Sequence, residues 1–72
     1  MNKPLLTSFM VRYGDTQESL AMAMGLSLSR LNAKINERDG AAFTQTEMQF
    51  IIDRYSLTRD EAMAVFFTPK VS

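Results

Sequence analysis

Apolar residues recur along this chain at the three- and four-residue spacing of helices, and no segment sustains the alternation of a strand. Leu6, Phe9, Met10 and Tyr13 make a first stripe. It begins near Pro4, which suits an opening helical turn because the N–H it lacks would have no partner there. Gly14 predicts the end, since glycine takes the left-handed conformation that closes a helix. A second helix opens at Asp15 or Thr16, either of which can accept from the first free N–H groups, and Glu18 suits the positive end of the helix dipole. Leu20, Ala21 and Met24 face inward, Met22 is also expected to pack in the core, and Gly25 stops the helix. Ser27 caps a third helix from Leu28 to about Asn36, with Leu31 and Ile35 one turn apart. The segment from Glu37 to Ala42 reads as a loop. Thr44 with Glu47, and Thr58 with Glu61, match the reciprocal capping box and open two more helices. The fourth carries Met48, Ile51, Ile52 and Tyr55; the fifth carries Ala62, Val65 and Phe66, and Pro69 excludes much continuation. The expected architecture is all-α, with five short helices and short connections forming one domain over residues 1–72.

Composition narrows the function. The chain has 72 residues, 46% of them apolar and 22% charged, which is ordinary for a small globular domain. It has no cysteine and no histidine, so disulfides, thiolate metal sites and the commonest general base are missing. No phosphate-binding glycine loop or metal-ligand spacing occurs, and most Asp and Glu residues sit at helix starts, where capping accounts for them. An enzyme, a cofactor, a metal or a small-molecule ligand is therefore not expected. No apolar run approaches the roughly 18 residues of a membrane span. The first residues lack the apolar stretch of a secretory signal, which makes a cytoplasmic location the expectation.

Net charge is zero, whereas nucleic-acid binders are usually basic. The charges are nevertheless segregated. Residues 1–38 hold Lys3, Arg12, Arg30, Lys34 and Arg38 against Asp15, Glu18 and Glu37, a net +2, and residues 39–72 carry −2. The first half is the natural face for a polyanion.

The segment from Gln17 to Asn36 is the most informative. Ala21 is small where two helices would cross, Gly25 permits the positive φ of a tight turn, Leu26 fills the angle between the helices, and Ser27 caps the second of them. The pattern Thr16-Gln17-x-x-Leu20-Ala21-x-x-x-Gly25-Leu26-Ser27-x-x-x-Leu31 resembles the lambda-repressor-like (Cro/repressor) helix-turn-helix family. Leu31 to Asn36, Phe43 to Glu47, and the pair Phe66 and Phe67 are similar to small repressor- or Cro-like proteins of phages and prophages of Gram-positive bacteria. One departure is Lys34, where the family often has an apolar residue; here Ile35 is apolar instead.

The resemblance implies a compact five-helix domain in which the third helix reads double-stranded operator DNA, with a homodimer on a near-palindromic site. By that resemblance Leu28, Ser29, Arg30, Asn32 and Ala33 are candidates for base contacts. Asn suits adenine, Arg suits guanine, and apolar groups suit the thymine methyl. A solvated helix face is the competing reading, and Arg30 is open between base, phosphate and solvent. Gln17 is placed near a phosphate, with local capping as a compatible role, and Ser27 is a cap that can also reach a phosphate. Lys34, Asn36 and Arg38 suit phosphate around the helix end, against ordinary surface charge. Met63, Phe66 and Phe67 cluster near the C-terminus, where dimer contacts compete with a folded-back core. The rival function is a protein-interaction module, antirepressor- or antitoxin-like, that keeps the fold and uses its apolar C-terminal face.

Overall fold

A computed structural model of the chain describes residues 1–67; Pro69, the expected helix stop, lies outside them. The described residues form α1 (Lys3–Arg12), α2 (Gln17–Met24), α3 (Leu28–Asn36), a 3₁₀ turn (Arg38–Gly40), α4 (Gln45–Arg54) and α5 (Arg59–Phe66), with no strand among them.

Each helix start has a side-chain cap. Asn2 accepts from the Leu5 N–H at 3.1 Å, so α1 begins one residue before Pro4, which sits in the first turn. The Asn2 N–H donates to the Val65 carbonyl at 2.7 Å, which ties the start of the chain to α5. At α2 the cap is Thr16: its hydroxyl accepts from the Ser19 N–H at 3.1 Å, and Ser19 Oγ accepts from the Thr16 N–H at 2.9 Å. The same reciprocal arrangement opens α4 with Thr44 and Glu47 and α5 with Thr58 and Glu61.

The stops are equally local. Gly25 has φ +70°, and a Cβ built there would meet nothing within 4 Å. The glycine is therefore required by the backbone angle and not by crowding. The Leu26 N–H then turns back to the Ala21 carbonyl at 2.9 Å, and α3 follows after Ser27. Beyond α3, Glu37 (φ 53°) and Asp39 (φ 51°) take left-handed conformations, so the segment expected as a loop contains a 3₁₀ turn.

The core is built from the apolar stripe of every helix: Leu6, Phe9 and Met10 of α1, Leu20 and Ala21 of α2, Leu31 and Ile35 of α3, Ile51 of α4, Ala62 and Val65 of α5. Tyr55 closes α4 inside it, and Phe43 and Leu57 join from the connections. Leu20, Leu31, Ile51 and Val65 are wholly excluded from solvent, each worth about 1.5–3 kcal/mol of transfer free energy. The Cα radius of gyration is 11.5 Å, close to the roughly 11 Å expected when a chain of this length closes around one core.

Two residues expected inside are not. Met22 is 82% exposed. With Leu20, Ala21 and Met24 setting the inner face of α2, a residue two beyond Leu20 falls about 200° around the helix, on the opposite side. Tyr13 lies past the last turn of α1 and is half exposed, its ring tilted against Tyr55 with centroids 5.4 Å apart. Among the described residues no helix is long and apolar enough to cross a membrane.

Candidate nucleic-acid interface

The wheel of α3 is set by Leu31 and Ile35, which are both buried. At 100° per residue the opposite face carries Ser29, Arg30, Ala33 and Asn36. Ser29, Arg30 and Asn36 are exposed and Ala33 is partly covered. Leu28 is exposed at the helix start, beside a shallow groove lined with Met22 and Leu26 of the α2 side. Ser27 accepts from the Arg30 N–H at 3.1 Å and so acts as the cap of α3. The helix holds two cationic residues, Arg30 and Lys34, and no acid.

The polar side chains around this face are already organised. Asn32, half-buried, donates through Nδ2 to Gln17 Oε1 at 3.0 Å, which links α3 to the first residue of α2. Asn36 Nδ2 donates to Asn32 Oδ1 at 3.0 Å and to the Asn32 carbonyl at 2.9 Å. Lys3 Nζ of α1 donates to Asn36 Oδ1 at 3.0 Å. In the sequence Lys3 stands out only as a charge. Its place beside α3 depends on how α1 packs, for which the local sequence holds no signal.

Lys34 is turned away from the role expected for it. Its ammonium lies 2.8 Å from Glu47 Oε1 and 3.3 Å from the Ala42 carbonyl, with 13% of the side chain exposed. A phosphate would have to displace a carboxylate that already neutralises it. A lysine at the flank of the core is thus satisfied by a neighbouring capping glutamate. Burial pushes the Glu47 carboxyl up, and the Lys34 ammonium with the Thr44 backbone more than offsets this, leaving it below its ordinary value. Arg30 and Arg38, by contrast, have no ion-pair partner among the described residues.

A second polar cluster closes the other side of α2. Asp15 accepts from Arg54 Nε at 2.7 Å, Arg54 Nη2 at 2.9 Å, Tyr55 Oη at 2.7 Å and Ser19 Oγ at 2.9 Å. The Arg54 hydrogen bond, set against burial and joined by Tyr55 and Ser19, holds the Asp15 carboxyl far below the usual carboxylate range. Glu37 accepts from the N-terminal ammonium at 2.8 Å. Two of the three acids of the first half are thus paired with cations, while Lys3, Arg30 and Arg38 keep their charge on or beside α3.

The apolar end lies around α5. Met63 and Phe67 are both about half exposed, and Phe66 is half-buried with its ring edge-on to Phe43 at 6.2 Å. A cavity of about 200 Å³ opens there, lined by Met1, Phe43, Met48, Phe66 and Phe67 together with Lys34, Glu37 and Ala42. Compared with protein-family models, with curated proteins and with solved structures, the chain finds no match.

Proposed function

We propose that this chain is a sequence-specific double-stranded DNA-binding regulator of transcription, with α2 and α3 acting as a helix-turn-helix of the lambda-repressor-like kind. The observation that carries this reading is the outward face of α3: small and polar side chains, an unpaired Arg30 and no acid, opposite a buried Leu31 and Ile35. Such a face can enter a major groove with no carboxylate of its own helix turned toward the DNA. Ser29, Arg30 and Ala33 lie at the centre of the base-reading face, with Leu28 at its margin, while the Asn32 amide is engaged by Gln17 and Asn36 and is not free to pair with a base. Gln17, Ser27 and Arg38 flank it for phosphate contact. A dimer formed through Met63, Phe66 and Phe67 would place two such helices about one turn of DNA apart, and occupancy of a promoter would exclude polymerase.

The test begins with selection of duplexes from a random-sequence pool by the full chain. A palindromic consensus is expected, with backbone-amide NMR shifts on binding concentrated at Gln17 and residues 27–38. Arg30→Ala should weaken binding by about 1–3 kcal/mol and relax preference at one base pair of each half-site. A pool that never enriches any duplex would sink the reading.

The exposed Met63 and Phe67 beside the apolar cavity favour a second reading, a protein-interaction module. It predicts NMR shifts beyond residue 59 on addition of a protein partner, and none around α3 with DNA.

A further inference from the structure

Four side chains from three helices form one unbroken hydrogen-bond chain across the exposed side of α3: Lys3 to Asn36, Asn36 to Asn32, and Asn32 to Gln17, each at 3.0 Å. Its direction is forced. An ammonium can only donate and a backbone carbonyl can only accept. Asn36 sits between Lys3 and the Asn32 carbonyl, so its oxygen must face the lysine and its nitrogen must face Asn32. Asn32 then has its oxygen toward Asn36 and its nitrogen toward Gln17. Gln17 receives that bond on Oε1, and its amide NH₂ is left at the open end. Every bond runs in the same sense. Both ends of the chain therefore offer donors alone: the remaining ammonium protons of Lys3 and the Gln17 NH₂.

We propose that this relay makes Lys3 a DNA-binding residue and Asn36 a positioning residue. Lys3 takes a phosphodiester oxygen at one end of the α3 face. Asn36 acts through Asn32 to hold the Gln17 amide with its NH₂ toward a second phosphodiester oxygen at the other end. The proposal rests on the DNA-binding reading above, and it revises the role expected for Asn36, whose oxygen and nitrogen are both committed inside the relay. Without the relay an exposed glutamine turns its oxygen or its nitrogen outward with little preference, and the oxygen repels phosphate.

The probe is a duplex selected from a random pool by the wild-type chain, with affinities measured from 50 to 200 mM salt. Lys3→Met should flatten the slope of log affinity against log salt by about 0.9, so that its deficit is roughly threefold larger at the low-salt end. Lys3→Arg, which also only donates, should restore the wild-type slope. Asn36→Ala changes no charge: affinity should fall with the slope unchanged. Gln17→Ala should then cost less in the Asn36→Ala background than in the wild type. Thermal melting checks that the variants keep the fold, as expected for the exposed Lys3 and Asn36 and the partly exposed Gln17. An unchanged slope for Lys3→Met, or losses for Asn36→Ala and Gln17→Ala that multiply independently, overturns the proposal while leaving DNA binding intact. If the wild-type chain retains no duplex, the underlying reading has failed and this one falls with it.

Discussion

Asp15 does more than begin a helix. From sequence it and Thr16 are equivalent caps, yet Thr16 takes the backbone and leaves Asp15 to Arg54 and Tyr55, 39 and 40 residues further along. Because its carboxyl is held below the ordinary range, the folded state binds fewer protons than the unfolded chain in acid. Its stabilisation is complete above about pH 4 and is lost progressively as the pH falls below that. Asp15→Asn should lower unfolding stability at neutral pH by roughly 1–3 kcal/mol. It should also make the acid limb of the stability curve shallower, the remainder coming from Glu47. Urea unfolding between pH 2 and pH 7, with an unchanged m-value, checks both. Tyr55 works at the other extreme. Burial first, and then the Asp15 carboxylate, raise its phenol above the ordinary value. Its contribution is present below about pH 10 and is lost as the pH rises further.

Among the elements, the pair α2 and α3 is the most fully specified by local chemistry. The start of α3 at Leu28 and its last residue, Asn36, follow from Ser27 and from the spacing of Leu31 and Ile35. The turn before it depends on Gly25. Gly25→Ala should destabilise the fold by about 1 kcal/mol, all of it backbone strain at positive φ, because the added methyl meets no neighbour. Ser27→Ala should cost a similar amount, about 1 kcal/mol, through the lost cap. Guanidinium or thermal unfolding of the two variants measures these losses. A cost for Gly25→Ala above about 3 kcal/mol would mean that the turn rearranges. The boundary of α1 was less legible: Pro4 is a strong signal, but the cap is Asn2, whose backbone is held by Val65 of α5.

The whole molecule sorts its charges by pairing. Net charge is zero, but folding couples Lys34 to Glu47 and Asp15 to Arg54 across the two halves of the chain. What remains near α3 is Lys3, Arg30 and Arg38. On the proposed DNA-binding reading, three cations around α3 predict weak binding of random DNA at physiological salt and reliance on specific contacts for affinity. Competition of a selected duplex against bulk DNA measures that ratio. The apolar end of α5 is the expected dimer contact. The double change Met63→Ser with Phe67→Ser should leave the melting temperature within a few degrees of wild type, since both side chains are about half exposed. It should reduce the stoichiometry on a palindromic duplex from two chains to one, as read by sedimentation. Retention of two chains would place the interface elsewhere.

Helix number, helix type and the inner face of α3 were decided by the sequence alone, because caps, glycines and apolar spacing act within a few residues of one another. The same locality explains why Ser29, Arg30 and Ala33 were readable as an outward face. Packing between distant segments decided the rest: that Lys34 is neutralised, that Asp15 is a tertiary link, and that Lys3 stands beside Asn36. A side chain's partners across the core depend on how helices far apart in the chain come together, and that distance carries no periodic signal for a linear reading to detect.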